Sequence, residues 1–163
     1  LRPSCVGSIP FDFEGLAKKD CAIVRDGILK TYLLDLSSAR KLKKRPTGHA
    51  VRGVSSVPSP GISNFTLSPG VKSKEDLIKK MGTGLLITSL LGSTINPNTG
   101  DYSRGASGIW VENGELSYPV SECTVAGNLK EMLRHFVPSN DIEPHRSFRV
   151  PSILIDDMQI AGE

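Results

Sequence analysis

The stretch that most restricts the fold is ASGIWVENGELSYPVSECTVAGNLKEML, residues 106–133. Asn113-Gly114 lies between two runs of apolar character, and a two-residue type I′ turn needs positive φ at both central positions, which this pair tolerates best. With those residues in the loop, Glu112 faces Glu115, Val111 faces Leu116, Trp110 faces Ser117 and Ile109 faces Tyr118. Val111, Leu116, Ile109 and Tyr118 then share one apolar face, and a slip of one residue would turn the whole set over. The second strand is expected to run on through Cys123 and Val125 to Gly127. Asn128 follows as a helix N-cap with Glu131 in capping-box position, and Leu129, Met132, Leu133 and Phe136 fall on one helical face. None of these residues is an evident catalyst.

The rest of the chain has weaker versions of the same signals. CAIVRDGILKTYLL, residues 21–34, predicts a second hairpin about Asp26-Gly27, pairing Val24 with Leu29 and Ile23 with Lys30 and partly covered on both sides. Residues 1–20 read as a lead-in, Ser37 to Leu42 as one or two helical turns, and residues 46–64 as a long irregular stretch of the kind that is usually functional or mobile. Phe65-Thr66-Leu67 reads as a short strand. Ser73 caps a helix to about Met81, with Glu75 and Asp76 in its first turn and Gly82 ending it. GLLITSLLG, residues 84–92, reads as a buried strand, followed by a turn-rich connection through Asn96-Pro97 and Thr99-Gly100. The tail predicts short strands over Ser152 to Ile155 and Met158 to Ala161. The fold class expected is α+β, mainly β: antiparallel hairpins in a sandwich or barrel-like domain with two short amphipathic helices, residues 1–163 forming a single domain.

Composition narrows the function classes. With 38% hydrophobic and 23% charged residues, the chain suits a soluble globular protein. Its longest apolar run is too short to span a bilayer, and the opening LRPSCVGSIP shows no signal peptide. A net charge of +3 does not argue for nucleic acid. The basic run Arg40 to Arg45 reads as a solvated helix end before Pro46. Cys5, Cys21 and Cys123 suit reduced thiols in a cytoplasmic protein better than a disulfide framework.

Few residues suggest chemistry. No histidine lies at a metal-ligand spacing from another His or Cys. His135 suits the end of its helix and His145 a polar loop. His49, in TGHAVR, is the one to test, although a hydrogen-bonded structural role is the better expectation and no nucleophile or metal partner shows in the sequence. GDYSRGASG lacks the Lys of a P-loop, so its glycines are expected to serve bulges or close backbone approach. Asp156-Asp157 reads as a solvated turn, Asp141 and Glu143 as a solvated loop, and Cys123 as a buried, inert thiol.

Several segments occur together in an order that is more specific than any single motif: DGILKTYLLDLSSARKL, PTGHAVRG, GLLITSLLGSTINPNTGDYSRGASGIWVENGELSYPV and TVAGNLKEML, with PSILIDDMQIAGE at the end. In these the chain resembles the C-terminal domain of the TldD/PmbA family, on its PmbA (TldE) branch, from about Phe11 onward. The resemblance implies a β-rich C-terminal domain of a longer polypeptide with an N-terminal mixed α/β domain. It also implies a cytosolic zinc metalloprotease assembled from TldD and TldE subunits, acting on short or unfolded peptides, and a family described as modulators of DNA gyrase. TldD-type subunits carry an HExxxH zinc motif and a later ligand from a cysteine segment. This chain has no HExxxH, which would lie upstream of residue 1, and reads SNDIEPHRSFRVPS where that cysteine is expected. No zinc ligand and no catalytic residue carries over.

The expectation is therefore a non-catalytic subunit domain whose partners are a TldD-type subunit and a peptide or unfolded polypeptide, with zinc only in that partner and neither nucleic acid nor membrane involved. His49 and Arg52, in the irregular stretch, are the candidate peptide or partner contacts. The alternatives are a metallopeptidase in its own right, with its metal motif upstream, and a gyrase-modulating binding protein.

Overall fold

The structure is a computed structural model that describes residues 6–162, and for Ser93 the backbone alone; Cys5 lies outside the described residues. In chain order the first elements are β1 (Val24–Arg25), β2 (Ile28–Leu29), α1 (Leu36–Lys41), β3 (Ala50–Val51), β4 (Ser59–Pro60) and β5 (Phe65–Thr66). Next come α2 (Lys74–Met81), β6 (Gly84–Ile95), β7 (Asp101–Glu112), β8 (Glu115–Asn128) and α3 (Leu129–His135). The chain closes with β9 (Val137–Pro138), β10 (Phe148–Arg149), β11 (Ile153–Leu154) and β12 (Gln159–Ala161). The fold is mainly β with short helices and mostly antiparallel pairings, as expected, with three helices among the described residues where two were expected. Two compact units emerge, Leu1–Leu67 with Glu143–Val150, and Ser68–Ile142 with Pro151–Glu163.

In the first unit, β1 and β2 form the expected hairpin, with Asp26 and Gly27 at φ of 52° and 72° and Val24 opposite Leu29. It is not covered: Val24, Ile28 and Leu29 are all more than half exposed. Asp35 caps α1, its carboxylate accepting from the Ser38 amide at 2.7 Å. Arg40 and Lys41 occupy the last turn, as the solvated helix end requires. The stretch 46–64 is less irregular than its glycines and prolines suggest, because β3 and β4 pair within it. The lead-in is anchored by Asp12, which is 6% exposed and accepts from the amides of Glu14, Leu16 and Ala50 at 3.0, 2.9 and 3.0 Å. β5 pairs with β10 in parallel, a long-range contact that no local pattern announces.

The second unit is an open four-stranded antiparallel sheet in the order β12-β8-β7-β6. The Asn113-Gly114 turn forms, with φ of 53° and 78°, and Glu112 faces Glu115 and Val111 faces Leu116. Beyond that the expected register fails. Ser117 and Tyr118 together oppose Trp110, so Ile109 lies opposite Pro119 and not Tyr118. The extra residue is a bulge, and Pro119, which has no N–H, lies where the ladder is already broken. A second bulge sets Ser121 and Glu122 against Ser107, with Glu122 at φ 57°. On the other side of β7 the register with β6 shifts at the same level, between Ile87 and Ser89. Gly108 lies at that level, and a Cβ on it would fall 2.1 Å from the Leu86 carbonyl oxygen. This is the close approach expected of the glycine-rich segment.

One face of the sheet builds the core from Ala106, Cys123 and Val125, with Leu85, Tyr102, Val120 and Met158 packed around them. Cys123 is buried, and its thiol donates to the Ala106 carbonyl at 3.1 Å. Ser73 caps α2 through a full capping box with Asp76. Asn128 caps α3 by accepting from the Lys130 amide, but Glu131 does not complete a box; it reaches forward to Arg134 at 2.9 Å. The apolar face expected on α3 is poorly packed, since no residue of the helix is buried and Leu133 is 68% exposed.

The largest departure is β6. Its apolar run predicts a buried strand, yet β6 is an edge strand, with Leu91 62% and Ile95 41% exposed.

Candidate functional site

His49 lies just before β3, and its backbone is pinned on both sides. Its carbonyl accepts from the Gly61 amide at 2.8 Å, and the Ala50 amide donates to Asp12 at 3.0 Å. The half-buried ring stands with Nδ1 3.1 Å from Thr47 Oγ1 and Nε2 3.7 Å from the Sγ of Cys21. Thr47 Oγ1 in turn accepts from the Leu34 amide at 2.8 Å and donates to the Leu34 carbonyl at 3.2 Å. Thr47 Oγ1 thus joins the ring to the backbone of Leu34, and either ring tautomer is compatible with these contacts. The exposed thiol of Cys21 is the group that faces Nε2. Burial and the Asp20 carboxylate both push the thiol up from its usual range.

His49 was legible in the sequence, but its partner was not, because Cys21 is 28 residues away along the chain. Arg52 is exposed, just past β3. The structure thus places the two candidate contacts on one short segment, with only His49 held in a network. Lys18, which is 9% exposed, completes the unit's buried polar set through its bond to Ser63 Oγ at 3.0 Å.

The acidic residues divide. Asp156 and Asp157 are exposed in a turn, as expected. Glu143 pairs with Arg146 and lies 3.7 Å from His145. Asp141 is exposed, as expected, and is also a hub, taking hydrogen bonds from the Ser139 hydroxyl and from the amide and hydroxyl of Ser152 at 2.7 and 2.6 Å. Burial works upward on its carboxyl, but these bonds outweigh it and hold it below the usual range. The hub ties the ends of β9 and β11 together, which is a structural task.

In the second unit two surfaces could receive a chain. One is the outer edge of β6, where the backbone has no partner strand among the described residues. The other is a cavity of about 340 Å³ between α2, the start of β6 and the segment leading into β12, lined by Leu77, Ile78, Met81, Leu85, Val125 and Met158. Its lining is mostly apolar, with Lys74 and the Asp156-Asp157 turn at its polar rim.

A catalytic zinc centre needs three protein donors and an open position. Among the described residues no group of three or more His, Cys, Asp or Glu is placed to hold a metal ion, so they do not form such a centre by themselves. No helix among them is long and apolar enough to cross a membrane.

Comparison with known proteins is consistent across sequence and structure. Residues 1–162 match the family described as the PmbA/TldA metallopeptidase C-terminal domain. The metalloprotease PmbA of Escherichia coli O157:H7 is 47% identical over 159 residues, covering 97% of this chain and 33% of that protein. A Thermotoga maritima structure described as a candidate modulator of a DNA gyrase superposes with a TM-score of 0.81 at 35% identity, over 99% of this chain and 37% of that one. TldE from Thermococcus kodakarensis superposes with a TM-score of 0.83 at 25% identity, over 94% of this chain and 36% of that one. The chain spans about a third of the length of the curated relatives it matches. It therefore belongs to the PmbA/TldD metallopeptidase family, on the PmbA (TldE) side, and corresponds to the family's C-terminal domain.

Proposed function

We propose that this chain is the C-terminal domain of a non-catalytic PmbA/TldE-type subunit in a cytoplasmic metalloprotease. Its partner is a TldD-type subunit that supplies the zinc, and its substrates are short or unfolded peptides. The observation that carries this reading is the twelve-residue edge strand β6. Its apolar side chains and unpaired backbone suit either an extended peptide or another protein surface, because strand addition uses main-chain hydrogen bonds and tolerates many sequences. His49 and Arg52 are offered as polar contacts to the peptide or partner, and residues 1–163 as one functional domain of a longer polypeptide.

The test mixes the complete polypeptide that contains this chain with a purified TldD-type subunit and a generic unfolded peptide. Cleavage should require both subunits and stop with a chelator. Cleavage by the PmbA-type polypeptide alone would overturn the reading. It would favour the second one, a metallopeptidase in its own right whose metal motif lies outside these residues, which the name of the 47%-identical relative keeps open.

A further inference from the structure

We infer that Arg104 is the receptor for a carboxylate that the described residues do not supply. It is the one cation of GDYSRGASG, the segment whose glycines serve the sheet. Arg104 lies on β7 opposite Val125 of β8, on the face that carries the core. Residues two apart on a strand share a face, so Tyr102 and Ala106 flank it there. None of these three neighbours has a carboxylate. The Arg104 side chain is half-buried, and its Nε is shut off from solvent with no hydrogen-bond partner. It is the one buried side-chain nitrogen or oxygen left so among the described residues. No hydrogen bond or ion pair among them reaches the rest of the guanidinium either. On the other side of β7 the register with β6 shifts, and Gly92 and Ser93 together oppose Arg104. Gly92 brings no side chain, and a Cβ on it would meet nothing within 4 Å, so the sheet is open at this level.

The chemistry of the group selects what fills this place. A buried donor without an acceptor is rare, because it has lost its water and gained nothing in return. A lysine would relieve that cost by shedding its proton, but a guanidinium keeps its charge at every working pH. The position therefore calls for an anionic acceptor. Nε and one Nη of arginine form a planar fork that matches the two oxygens of a carboxylate. A single cation among apolar neighbours balances a single negative charge. That favours a carboxylate over a phosphate dianion, whose second charge would be buried and unpaired. The carboxylate is either the C-terminal group of a bound peptide or an acidic side chain of the longer polypeptide. The first source rests on the peptide-binding role proposed above, and the second does not.

The test uses the complete polypeptide that contains this chain, as parent, Arg104→Met and Arg104→Lys. One arm follows the denaturation midpoint as pH falls from neutral through the carboxyl range of about pH 4. The other measures equilibrium binding of a fluorescent unfolded peptide, once with a free C-terminal carboxylate and once as the C-terminal amide. The TldD-type subunit is present and a chelator stops cleavage, so a failure of proteolysis and a failure of Arg104 give different results. If the carboxylate belongs to the polypeptide, Arg104→Met should lower the midpoint at neutral pH by stranding a buried anion. That loss should fade as pH falls through about 4, where the carboxyl takes a proton. If it belongs to the peptide, the acid should bind about tenfold or more tighter than the amide in the parent, and equally in Arg104→Met. Arg104→Lys should keep part of that preference, as a point charge without the fork. A midpoint that Arg104→Met leaves unchanged, raises, or lowers equally at every pH, with no acid preference that the substitution removes, would overturn the proposal.

Discussion

Asp12 shows how much one side chain can hold. Three backbone amides converge on its two oxygens. Burial works against the charged form, but the amides of Ala50, Leu16 and Glu14, together with Lys18, outweigh it and keep the carboxyl below its usual range. A carboxyl with a lowered folded pKa contributes stability above its unfolded pKa of about 3.9 and loses it as pH falls through the folded value. Stability should therefore fall below about pH 4, and Asp12→Asn should flatten that dependence while lowering stability by about 2 kcal/mol at neutral pH, since its NH₂ would face an amide donor. Acid titration of the denaturation midpoint checks both. At Gly108 the constraint is steric. Gly108→Ala puts a methyl against the Leu86 carbonyl, and a loss of about 1–3 kcal/mol is expected in chemical denaturation. His49 and Gly108 were both visible in the sequence as residues to watch. What each one meets was not, because Cys21 and Leu86 are brought to them by chain reversals that no local pattern encodes.

At the scale of elements, turns and caps behave as local chemistry requires. Both central residues of the β7–β8 turn have positive φ, so Gly114→Ala should cost about 1–2 kcal/mol from the left-handed backbone alone, with a further clash against Lys79 Cα at 2.9 Å. Ser73→Ala should cost about 1 kcal/mol by removing one half of the α2 capping box. Both changes are read from urea midpoints at constant m-value. These elements were legible because turn type and cap geometry depend on neighbours within a few residues. The registers beyond them were not. A bulge inserts one residue without a strong sequence mark, and Ser117-Tyr118 and Ser121-Glu122 look like ordinary strand. The exposed hairpin of β1 and β2 and the half-packed α3 show the same limit, since periodicity says which face is apolar and not whether anything covers it.

At the scale of the whole molecule, the notable quantity is the apolar surface left uncovered. Nine hydrophobic residues are buried among those described, while side chains as large as Phe11, Phe13, Leu91, Tyr118, Leu133 and Phe148 are each at least half exposed. Exposed apolar side chains that lie together mark surfaces for another protein. The 163-residue chain alone should bind a hydrophobic dye and self-associate in sedimentation. Substituting Leu91 and Ile95 by Ser should reduce self-association of the isolated chain without lowering its denaturation midpoint, because both residues are exposed on the β6 edge.

The sequence by itself determined the class of fold, both hairpin turns, the caps of α2 and α3 and the family, because each rests on short-range geometry or on ordered motifs that survive without contacts. Tertiary structure decided the rest. It placed an apolar run at a sheet edge instead of in a core, joined β5 to β10, made Asp141 a hub and set a thiol against an imidazole. These outcomes depend on which distant segments meet, and the free energy of such meetings is shared among many residues and written in none of them singly.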